Sequence, residues 1–175
     1  VVYARLTDNA GNVTYISTDG IFLDNTPPTV GSLAVPEDTK KDVTAGVTFT
    51  VSETADYYYV VLPKGSATPS AKDIIVTCGG TLPEGETGTV VSGTFPKGGG
   101  AVSTDTPGAS VDIKDLSPNT AYVVYVTAID RALDISNSAS GTPAGNIGNV
   151  AQADFITKKT LPAITKDPAI SGTYG

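Results

Sequence analysis

Histidine, methionine and tryptophan are missing from this 175-residue sequence, and cysteine occurs once, as Cys78. Without histidine, no Ser-His or Cys-His nucleophile pair and no histidine-built metal cluster can form within the chain. A lone cysteine excludes an internal disulfide and leaves the redox compartment undecided. Arginine is scarce, with only Arg5 and Arg131, and 18 acidic residues outweigh 11 basic ones to give a net charge of -7. A surface of that sign does not compete for phosphate backbones, so nucleic acid is not an expected partner. No apolar run approaches the roughly 20 residues needed to span a bilayer, so no membrane insertion is expected within this segment. Residues 1–6 lack the charged flank of a signal peptide, and the missing methionine, initiator included, points to a portion of a longer polypeptide.

What is abundant points one way. The chain holds 25 Thr, 19 Val and 11 Ile against 8 Leu. Branched side chains pack well on a pleated surface and lose rotamer freedom in helices, so this ratio favours strands. Nineteen Gly and 12 Pro supply the turns. The expected class is an all-β antiparallel sandwich or barrel.

Laid against itself at an offset of 122 residues, the sequence repeats. Val1-Val2-Tyr3 falls on Val123-Val124-Tyr125, Asp8 on Asp130, Ala10 on Ala132 and Val13 on Ile135. A strand-like stretch follows each copy, residues 20–24 and 153–157, and then a proline linker, Thr26-Pro27-Pro28-Thr29 and Thr160-Leu161-Pro162-Ala163. The implied layout is a closing hairpin of a preceding domain (1–28), one complete domain (29–160), and a linker leading into a further domain (161–175). An isolated hairpin is marginal in water, so residues 1–28 need a partner surface.

Within 29–160, alternation predicts strands over 30–35, 46–52, 109–116, 121–129 and 153–157. Residues 57–62 lack clean alternation, which suits a strand covered on both faces. Between Pro63 and Gly108 the pattern loosens; the shorter pieces 73–77 and 89–94 read as strands, and Gly98-Gly99-Gly100 as a flexible point.

Leu116-Ser117-Pro118-Asn119-Thr120-Ala121-Tyr122 turns the chain into a strand and sets Tyr122 at its start. There the ring can enter the core while the hydroxyl reaches back to a backbone group a few residues upstream. This is the tyrosine corner, built here from Leu116, Pro118, Thr120 and Tyr122.

On these residues the central domain resembles bacterial fibronectin type III-like domains, in Leu-x-Pro-x-Thr-x-Tyr, the alternating strand after it, and the closing Phe155-Ile156-Thr157. Tyr57-Tyr58-Tyr59-Val60-Val61-Leu62-Pro63 with Ser66-Ala67-Thr68-Pro69-Ser70 resembles repeats in large surface proteins of Gram-positive bacteria. Asp8-Asn9-Ala10-Gly11-Asn12-Val13 resembles the last-hairpin turn of bacterial Ig-like repeats. The resemblance implies an immunoglobulin-like sandwich with Greek-key connections and an extracellular, secreted or cell-wall-attached location. It departs from the family at 63–108 and in lacking a tryptophan in the second strand, where Phe49 stands.

Two groups of residues are candidates for chemistry. Asp8 and Asn12, and in the second copy Asp130 and Asp134, offer oxygen ligands of the kind Ca2+ takes. Tight turns use the same residue types for their own hydrogen bonds, and neither loop follows an EF-hand pattern, so no metal or cofactor is expected. Tyr57 and Tyr59 share one face of a strand and could offer rings to a sugar, although sandwich strands bury such residues too. The expected function is a non-catalytic spacer or adhesive module. Its partners would be neighbouring repeat domains and a cell-surface glycan or host protein. The alternative is a carbohydrate-binding or accessory module of a polysaccharide-degrading enzyme.

Overall fold

The computed structural model describes residues 2–18, 24–130 and 145–162. Among these residues, nine strands and one short helix follow in the order β1 (Val2–Thr7), β2 (Val13–Thr18), β3 (Val30–Ala34), β4 (Ala45–Val51), β5 (Ala55–Pro63), α1 (Ala71–Thr77), β6 (Lys97–Val102), β7 (Gly108–Ile113), β8 (Ala121–Asp130) and β9 (Ala151–Ile156). The protein is all-β, and every strand pairing is antiparallel. Strands β1 and β2 form a two-stranded ribbon, β3-β4-β7 a three-stranded sheet, and β6-β5-β8-β9 a four-stranded sheet.

The two larger sheets enclose one core. On β4, Val47, Phe49 and Val51 point inward while Thr48 is exposed, the period-two pattern of a strand with one wet face. From the other sheet come Val61, Tyr122, Val124, Val126, Ala128 and Phe155. Strands β5 and β8 are buried on their opposite faces as well. Val60, Leu62, Val123 and Tyr125 form a second cluster with Ile74 of α1. At about 1.5–3 kcal/mol per fully buried aliphatic side chain, this outer cluster is a substantial part of the stability.

Helix α1 stands where sequence periodicity suggests a strand over 73–77. Ile74-Ile75-Val76-Thr77 is a β-branched run, but the residues before it force a helical start. Ser70 Oγ accepts the Asp73 N–H at 3.2 Å, and Asp73 Oδ2 accepts the Ser70 N–H at 3.0 Å, a reciprocal capping box. Ile74 and Ile75 are then fully buried, so tertiary packing outweighs propensity. The following segment is strapped across the helix. Thr89 N–H donates to Asp73 Oδ1 at 2.6 Å and Val91 N–H to Thr77 Oγ1 at 2.9 Å. This strap takes the place of the strand expected at 89–94.

The glycine run at 98–100 is a strand rather than a flexible point. In β6, Gly98, Gly99 and Gly100 pair with Tyr59, Tyr58 and Tyr57 of β5. A Cβ at Gly100 would lie 2.6 Å from Tyr57 Oη, and one at Gly99 2.9 Å from the Tyr58 ring. The tyrosine rings occupy the space that side chains on β6 would need. That match explains why three consecutive glycines stand opposite three consecutive tyrosines.

Candidate functional site

Two ends of the sandwich are built differently. At one end, Asn119 (φ 49°) turns the chain into β8, and the Ser117 N–H donates to Tyr122 Oη at 2.9 Å. Tyr122 is buried and stacks on Phe155 with ring centroids 5.7 Å apart. Leu116 is buried below the turn, and Thr120 Oγ1 closes it by donating to the Pro118 carbonyl at 2.9 Å. Thr157 knits β9 to the same turn, its Oγ1 donating to the Ser117 carbonyl at 2.7 Å and accepting the Thr120 N–H at 2.9 Å.

At the other end three carboxylates converge. Asp24 comes from the segment before Pro27-Pro28, Glu53 from the β4–β5 turn, and Asp130 from the last position of β8. One oxygen of each lies within 4.8 Å of the others. Asn146 binds this group: its N–H donates to Asp130 Oδ1 at 2.8 Å, and its side-chain amide to Asp130 Oδ2 at 2.8 Å and to the Asp24 carbonyl at 2.9 Å. Burial and the negative charges of Asp24 and Asp130 push the Glu53 carboxyl above the usual carboxylate range. Oxygen donors of this kind suit a hard cation such as Ca2+, with Asp24, Glu53 and Asp130 as the residues that would hold it. The sequence does not reveal the group, because its members come from three distant segments with no common spacing.

The residues named for chemistry from the sequence are placed as follows. Asp8 and Asn12 satisfy each other: Asp8 Oδ1 accepts the Ala10 and Asn12 N–H groups, each at 2.9 Å, and Oδ2 accepts the Asn12 amide at 2.8 Å. These bonds, the Asn12 amide foremost, hold the Asp8 carboxyl below its ordinary range. Asp8 belongs to no group of three or more acidic or cysteine side chains among the described residues. Asp134 lies outside the described residues.

Tyr57 and Tyr59 are half-buried on the core side of β5. Tyr57 meets the edge of Phe49 at 5.0 Å between centroids and 78° between planes. Their rings are engaged by the core and by the glycines of β6 and stay partly exposed. Cys78 donates its thiol to the Tyr59 carbonyl at 3.2 Å, and burial pushes that thiol up, the opposite of a reactive cysteine. The groove between α1, the 83–86 turn and 145–147 measures about 830 Å³, and none of the described residues lining it is aromatic.

No protein-family model and no curated protein matches the chain. A solved structure described as a myokine structure is similar at 15% identity, with a TM-score of 0.43, over 77% of this chain and 100% of that one. So distant a likeness carries nothing about function. Among the described residues, no helix is long and apolar enough to cross a membrane.

Proposed function

We propose that the chain is a non-catalytic structural and interaction module of a multidomain extracellular protein, folded as a fibronectin type III-like sandwich and serving as a spacer. The fold reading is supported by the order β3-β4-β7 against β6-β5-β8-β9 and by the Tyr122–Ser117 bond. The functional reading rests on where the polypeptide joins the sandwich. It arrives at the carboxylate end. There Pro28 is buried, the Thr29 N–H donates to Ser52 Oγ at 2.9 Å, and the Ser52 N–H donates to the Thr29 carbonyl at 3.0 Å. It leaves at the tyrosine end, where the Lys158 N–H donates to the Lys41 carbonyl at 2.9 Å and the Asn119 N–H to the Lys158 carbonyl at 3.0 Å.

The ten residues of β8 separate these two points, about 33 Å at a strand's rise. A unit with opposite attachment points extends a series of domains, whereas one with adjacent points folds the series back. Spin labels at Thr26 and Thr160 test the geometry: a single long separation on that scale supports it, and a short or broad distribution contradicts it. A glycan array tests the alternative. Saturable binding to one glycan, lost in a folded Tyr57→Ala variant, would reassign the chain as a carbohydrate-binding module.

A further inference from the structure

The turn joining β1 to β2 and the much longer connection joining β8 to β9 are closed by the same hydrogen bonds. In the first, the Asp8 N–H donates to the Asn12 carbonyl at 3.1 Å, and Asn12 returns its N–H to Oδ1 at 2.9 Å and its amide to Oδ2 at 2.8 Å. In the second, the Asp130 N–H donates to the Asn146 carbonyl at 3.2 Å, and Asn146 returns its N–H to Oδ1 and its amide to Oδ2, both at 2.8 Å. The flanking residues pair alike, Thr7 with Val13 and Ile129 with Ile147. Ala10-Gly11-Asn12-Val13 corresponds to Ala144-Gly145-Asn146-Ile147. Asn146 is therefore the counterpart of Asn12, a match that a fixed offset of 122 residues misses because the second loop is longer.

The two copies differ in what surrounds them. Strand β8 lies between β5 and β9 and faces the opposite sheet, and Asp130 is buried against Ala55 in the ladder. Among the described residues β1 pairs only with β2. Its neighbourhood is wet: Leu6 is 50% exposed, Val13 42% and Tyr15 66%. We infer that β1–β2 is the closing hairpin of a second sandwich of the same architecture. The outer edge of β1 is the docking surface for that sandwich's counterpart of β5, with a small residue opposite Asp8 as Ala55 is opposite Asp130. The occupant is fixed by an interface this chain already contains, since the β5–β8 ladder gives the register the missing strand must adopt. The inference stands on the hydrogen bonding and is independent of the spacer reading.

Two experiments test it. In the first, residues 131–145 of the full chain are replaced by Asn9-Ala10-Gly11, so that the short turn closes β8 onto β9. The graft unfolds cooperatively if the two clasps are one unit, and loses stability when it also carries Asn146→Ala. A graft without a cooperative transition overturns the equivalence. In the second, a copy of residues 29–122 is fused ahead of Val1, which offers β1 a β5 in the required register. Amide exchange across β1 slows by about a hundredfold or more relative to the parent chain, as for strands inside a sheet. If the graft folds but β1 exchanges as fast in the fusion as in the parent, the docking surface is refuted.

Discussion

Substituting Gly100 with alanine probes the glycine-tyrosine match most directly. The added methyl carbon would lie 2.6 Å from Tyr57 Oη and 2.7 Å from its Cζ, well inside contact distance. Tyr57 cannot retreat inward, because its ring rests against Phe49, which is 2% exposed. Gly100 is not among the glycines with left-handed φ, so backbone strain does not compete as an explanation. Overpacking of this kind costs about 1–3 kcal/mol, and alanine recovers roughly 0.5–1 kcal/mol from the unfolded chain. The net loss lies between about zero and about 2.5 kcal/mol, centred near 1, and is read as a lower urea midpoint at unchanged slope. In a Tyr57→Ala background the same substitution becomes neutral or mildly stabilising, so a double-mutant cycle returns a coupling of about 1–3 kcal/mol. Equal penalties in both backgrounds would show that ring and glycine are not in steric register, and the account of β6 would fail.

Three further outcomes are expected. Tyr122→Phe leaves the Ser117 N–H without its acceptor and lowers stability by about 1 kcal/mol in urea; an unchanged midpoint would mean that the bond does not form in solution. Glu53→Gln raises stability at neutral pH. Because the folded Glu53 pKa lies above its usual value, the wild type has its full stability only below the ordinary carboxylate range and loses some as pH rises through the folded pKa. The gain from glutamine therefore vanishes in acid, and a gain constant with pH would argue against a penalty on the charged Glu53 from burial and from the neighbouring carboxylates. Asp73→Ala removes the reciprocal cap of α1 at a cost of about 1 kcal/mol at pH 7. The Asp73 carboxyl is held low, first by Ser70, so this stabilisation is present above its ordinary value of 3.8 and lost as pH falls through the folded pKa. Melting curves of both proteins at successive pH values would converge in acid.

The elements legible in the sequence are those whose burial follows a simple period. Strand β4 alternates, and β5 lacks alternation because both its faces are covered, which leaves a readable trace in either case. Two elements were obscured for opposite reasons. In α1 the β-branched run at 74–77 gives a strand signal, and only the Ser70–Asp73 cap and the burial of Ile74 and Ile75 reverse it. In β6, glycine carries no side-chain pattern at all, and the information resides in the tyrosines opposite. The carboxylate group was illegible because Asp24, Glu53 and Asp130 converge through topology rather than spacing. Of the metal candidates named from sequence, Asp130 belongs to that group, while Asp8 and Asn12 are occupied with each other.

The helix and its strap leave the two faces of the domain chemically unequal. Behind β5 and β8 lies a second apolar layer, so water has little access to that ladder from either direction. The outward side of β4 and β7 remains hydrated, with Thr48, Ser110 and Asp112 exposed in a row of small polar groups. Lateral neighbours, crowding macromolecules and engineered surface changes therefore meet this small polar row on the three-stranded side. On the four-stranded side they meet a removable cover whose loss would bare a greasy sheet.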